Sequence, residues 1–198
     1  MGMVGMVEDG SQRSAFPNGF PVYIYAETLM NRDCDFEAVR ADYFKHIYGN
    51  DWQKVDAILR NVSKAFDFEY MQGLHSEKPE FSQFYAPSRV SRLAAVHDLA
   101  EQIRFHFAKH KNMPDRVQTV SWRLLNRYAE WLDWMADIVT LKAQGRDYEA
   151  KALSVKFANE FGAYELELER YYDHGLCTQH TTTGLCSIAN RKADVIVE

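Results

Sequence analysis

The chain has 198 residues, 46% of them hydrophobic and 26% charged, with 23 Lys and Arg against 28 Asp and Glu and a net charge of −5. That length suits one domain with its own core; the composition excludes general disorder, and the scattered basic residues leave no electrostatic footprint for nucleic acid. No window approaches 18 consecutive apolar residues, so no membrane span is expected.

In chain order, Met1-Gly2-Met3-Val4-Gly5-Met6-Val7 lacks the basic region and long apolar stretch of a signal peptide and reads as the end of a strand, followed by Glu8-Asp9-Gly10. A polar loop, Ser11 to Pro21, leads into an almost uniformly apolar run (Val22, Tyr23, Ile24, Tyr25, Ala26, Leu29, Met30), which predicts a buried helix. Asp33 or Asp35 is placed to cap a helix with Phe36, Val39, Tyr43, Phe44 and Ile47 inward, ending at Gly49. Asn50 or Asp51 caps the next, with Val55, Ile58, Leu59, Val62 and Phe66 inward. Residues 72–87 hold Gly73, Pro79 and Pro87 and predict a long loop.

Three long helices are then expected. Leu93, Val96, Ala100, Ile103 and Phe107 are spaced 3-4-3-4 along the first. Val117, Val120, Leu124, Tyr128, Trp131, Met135 and Ile138 continue that pattern in the second, which Gly145 closes. Asp147 caps the third, along which Ala150, Leu153, Phe157, Phe161, Tyr164, Leu168 and Tyr171 align. Short links make neighbours antiparallel, giving an up-down-up bundle with the earlier helices as an added layer. The predicted fold is therefore all-α, a bundle of about five or six helices with a short irregular N-terminal segment.

Several motifs occur in order near the start: Gln12-Arg13, Phe16-Pro17-Asn18-Gly19-Phe20, Thr28-Leu29-Met30-Asn31-Arg32, Asp35-Phe36-Glu37, Asp42-Tyr43-Phe44 and Tyr48-Gly49. Over about residues 5–70 the chain resembles the C-terminal part of an uncharacterised bacterial glycoside-hydrolase-like family, distantly similar to α-glucuronidases. It departs from that family at Met30, where members carry Trp, and at Ala15, where they carry an aromatic residue. The resemblance implies a (β/α)8 barrel followed by a helical region. Residues 1–34 would be the remnant of the barrel's end, 35–173 the helical bundle and 174–198 a C-terminal tail. It implies action on carbohydrate by the whole protein, with this region inactive alone. The alternative reading is a non-catalytic helical module for interaction or dimerisation; a zinc-stabilised small domain is a distant third.

Candidate site residues follow. At the end of a barrel strand, Glu8 and Asp9 would occupy the usual catalytic position, and Arg13, with Gln12 and Asn18, would bind a hydroxyl- or carboxylate-bearing sugar. The alternative, which the usual behaviour of surface Arg and Gln favours, is that Arg13 and Gln12 bond backbone carbonyls and fix the turn. Glu27, alone in the apolar run, predicts a structural pair with Arg13 or Arg32. His174, Cys177, His180 and Cys186 are zinc-ligand types at a spacing that matches no standard finger, beside Thr181-Thr182-Thr183-Gly184, which reads as a loop. No cofactor is implied. Three cysteines, an odd number, predict no disulfide framework. Trp131 is expected in the core, and Trp122 and Trp134 partly off the main stripe.

Overall fold

The computed structural model describes residue 13 and residues 15–187. The protein is all-α: no β-strand forms among the described residues. Six helices of eleven or more residues build it: α1 (Phe20–Met30), α2 (Phe36–Tyr48), α3 (Trp52–Phe66), α6 (Val96–His110), α7 (Arg116–Ala143) and α8 (Asp147–Phe161). Shorter pieces complete it: α4 (Phe68–Met71), α5 (Val90–Ala94), α9 (Glu165–Leu168), α10 (His174–Gln179) and a π-helical turn at His180–Leu185. The strand expected at Met3 to Val7 lies outside the described residues.

Helix α7 is the axis. Trp122, Leu125, Ala129, Leu132 and Ala136 repeat at three and four residues, and all are fully buried against α2, α3 and α6. A second face, with Leu124, Met135 and Ile138, meets Phe157 and Phe161 of α8 and Leu168 of α9. Near its C-terminus Val139 and Ala143 close a third cluster with Tyr70, Phe84, Ala86 and Leu93. Helices α6 and α8 take different faces of α7. Trp122, expected partly off the main stripe, is the largest fully buried side chain and lies in the 122-125-129-132-136 row. Trp131 is half-buried at the edge between two clusters.

Local departures have local causes. The first long helix breaks at Ala95, leaving Leu93 on α5. The third ends at Phe161, before Gly162, so Tyr164, Leu168 and Tyr171 follow in separate turns. Asp35 caps α2 through the N–H groups of Glu37 and Ala38. Asp51 caps nothing with its side chain and instead pairs with Lys54 and His110, whose ring stacks on Trp122 at 4.2 Å. Asp147 likewise does not cap α8: its carboxylate is buried against the equally buried Lys142. The turn between them needs Gly145, at φ 74°, where a Cβ would stand 2.8 Å from the Phe81 ring.

The tail is not a plain loop. Thr181, Thr182 and Thr183 donate their hydroxyls to the carbonyls of Cys177, Thr178 and Gln179, four residues back, at 2.9, 2.7 and 2.6 Å. Such back-bonding competes with the α-helical ladder, and here the turn widens to π. Cys186 and Thr181 are buried, so this segment belongs to the body.

Candidate functional site

The polar loop is where the resemblance places binding residues. Arg13 donates to Glu165 at 2.8 Å and stands 3.4 Å from Asp173, while its backbone carbonyl accepts the Asp173 N–H. The hydrogen bond to Glu165 raises the arginine's pKa further above its ordinary value. Asn18 Oδ1 accepts the Phe20 N–H at 3.1 Å, starting α1, and Nδ2 faces the buried Tyr48 hydroxyl at 3.5 Å. Both side chains are thus engaged by the protein's own groups. Glu8, Asp9 and Gln12 lie outside the described residues.

The loop, with a cis Phe16–Pro17 bond, forms a ridge between two open cavities. One, about 540 Å³, runs along Tyr43, Val117, Val120 and Leu124. The other, about 500 Å³, holds Arg40, Arg60 and Lys64 beside Phe20 and Phe44. Arg40 and Arg60 both pair with Asp56, and Arg60 also with Glu37.

Glycoside hydrolysis needs a carboxylic acid with a raised pKa opposite a second carboxylate. Among the described residues, the carboxyl groups that shift clearly all shift down: Asp51, Asp67, Glu77, Glu149 and Asp173. Asp67 is held at about 2, chiefly by Arg89. The expected pair of Glu27 with Arg13 or Arg32 does not form; Glu27 instead accepts the Tyr23 hydroxyl one turn back on α1. Arg32 points into solvent beside Asp33.

The four candidate zinc ligands are not brought together. The His174 ring lies against Gly162 and 3.2 Å from the Thr178 hydroxyl, and His180 is exposed. Cys177 meets the Tyr172 hydroxyl. Cys186 is buried, which pushes its thiol pKa up, beside Ser154. Among the described residues no three His, Cys, Asp or Glu side chains converge as a metal shell, and all three cysteines are free. His97 comes nearest to a mixed cluster, but its two ring nitrogens are taken separately, by Asp133 at 2.7 Å and Asp137 at 3.0 Å.

The apolar run after the polar loop forms α1. The helix was expected to be buried, yet none of its residues is. Phe20 and Tyr23 pack on Tyr43 at 5.4 and 5.0 Å, and Phe20 also on Phe36 and Phe44. Val22, Ala26, Leu29 and Met30 face outward, with Val22, Leu29 and Met30 exposed by 53%, 60% and 89%. Their 22-26-29-30 spacing is one helical stripe and was readable in the sequence. No family model, no curated protein and no solved structure matches this chain. No helix among the described residues is long and apolar enough to cross a membrane.

Proposed function

We propose that the chain is a non-catalytic helical module that associates through the outer face of α1, with a second copy of itself as the occupant. The exposed stripe Val22, Ala26, Leu29 and Met30 carries this reading. A helix apolar on all sides is stable in water when every side is covered; α2 covers one. The stripe contains no charge, and the single acidic residue of α1, Glu27, is bonded to Tyr23, so two copies meet without repulsion. An eleven-residue helix is about 16 Å long, and two such faces bury less than the roughly 800 Å² per partner of a standard interface. Association is therefore weak, with a dissociation constant in the micromolar range or above.

The resemblance over residues 5–70 supplies the setting of the proposal: a glycoside-hydrolase-like protein acting on carbohydrate, of which this region is a supporting part. The downward-shifted carboxyl groups and the engaged Arg13 and Asn18 favour the supporting role.

Light scattering over a range up to about 100 μM, well above a micromolar dissociation constant, should show a dimer. Leu29→Glu should convert it to monomer with an unchanged melting temperature. A wild-type monomer throughout that range would overturn self-association. Aryl glycosides and aldouronic acids should not be turned over; turnover abolished by Glu8→Gln or Asp9→Asn would overturn the non-catalytic reading.

A further inference from the structure

A third cavity, of about 470 Å³, shares Ser63 and Tyr128 with the second and opens between α3, α4, α7 and the π-helical turn. Its lining includes the stacked pair Tyr128 and Trp131, whose rings are 5.3 Å apart and within 13° of parallel. Phe66, Met71 and Met135 form its apolar walls. Cys177, His180 and Thr181 supply its polar side. None of the lining residues is Asp, Glu, Lys or Arg.

From these observations we propose that this cavity binds an uncharged, planar aromatic small molecule carrying one hydroxyl or carbonyl group. Its volume lies within the range of about 300–1,000 Å³ typical of small-molecule sites. The lack of charge in the lining disfavours a phosphate, carboxylate or sulfate, which would be desolvated without a partner. The aromatic surface that Tyr128 and Trp131 leave free of each other offers stacking contact, and two thioethers adapt to its outline. The polar groups sort in the same direction. Ser63 and Thr181 hydroxyls are used by backbone carbonyls at Leu59 and Cys177. The His180 ring forms no hydrogen bond with any described residue, and it is what a single ligand oxygen would meet.

Two further features fit a site maintained for a ligand. The wall that carries His180 and Thr181 is a π-helical turn, a rare geometry found most often at functional sites. At the rim, Phe68 is 77% exposed immediately after Asp67, a non-glycine residue at φ 57°. That strained residue is held by Arg89 at 2.7 Å and Arg92 at 3.3 Å, and strain of this kind clusters at ligand clamps.

Nile red, an uncharged planar dye with a carbonyl group, tests the assignment. Its emission should shift to the blue and saturate at one dye per chain. In protein labelled with ¹⁵N at tryptophan, the Trp131 indole resonance should move and that of Trp134 should stay. Phe68→Asp alters an exposed side chain and Met71→Lys places a charge in the wall; each should weaken binding at least tenfold without lowering the melting temperature. Leu29→Glu, on the separate α1 face, should bind as the wild type does. Non-saturating binding, an unmoved Trp131 resonance, wild-type affinity in both cavity variants, or loss of binding in Leu29→Glu would each overturn the proposal.

Discussion

Helices α1 and α7 reverse what their compositions suggest. Helix α1 is the more apolar, with Glu27 its one charged residue, and it buries nothing. Helix α7 carries charged residues throughout its 28 positions and buries eleven of them, Lys142 included. The difference is in neighbours. The apolar residues of α7 fall into rows that match α6, α8 and α2, whereas α1 packs chiefly on α2. Burial follows the fit between faces, and the share of apolar residues in a helix predicts it poorly.

The sharpest way to break this contrast is to truncate the most buried ring. Trp122→Ala should cost about 3–5 kcal/mol through lost burial and the cavity left behind, read as a drop in the urea midpoint at unchanged slope. Lys142→Ala comes next: it removes one partner of a buried ion pair, which costs about 3 kcal/mol or more. A Lys142→Met loss of the same size would show that the charge, and not the volume, decides it.

Smaller and dependent on pH is the α6–α7 clamp at His97. Burial pulls the His97 pKa down, but the hydrogen bonds to Asp133 and Asp137 outweigh it and raise the value overall. A raised folded pKa stabilises fully below the unfolded value, near 6.5, and that contribution is lost as pH rises past the folded value. The ring is 40% exposed and Arg104 competes for Asp133, so the effect should stay below about 1 kcal/mol. Urea midpoints at pH 5.5 and 8.5 should converge in His97→Gln. Leu29→Ala and Met30→Ala on α1 should do least, changing stability by less than about 0.5 kcal/mol. A larger loss in the monomer would show that α1 is packed more fully than its exposure indicates.

How far the sequence carried the reading follows from range. The 3-4 spacing placed α2, α3 and the long helices, because each depends on residues within two turns of one another. It identified Leu124, Met135 and Ile138 as core and made core packing the default for Trp122, but it could not tell which of the rows on α7 faces α6. The same limit hid Asp147, whose candidacy as a cap was local while its real partner is Lys142, across a turn. In the tail, the type of each Thr was legible, but the widening of the helix comes from three hydroxyls acting together. For the candidate site, Arg13 and Asn18 were named from residue type, yet their partners Glu165 and Tyr48 belong to other helices.

The Arg13–Glu165 contact has a consequence for the order of folding. It joins residues 152 positions apart, so its closure entropy is met once the intervening helices have already assembled. Interactions that complete so late contribute little to the transition state. Arg13→Ala should therefore leave the refolding rate unchanged and speed unfolding, shifting one limb of the chevron alone. In kinetic terms this arginine acts as a clasp that fastens last and slows the opening of a body already formed.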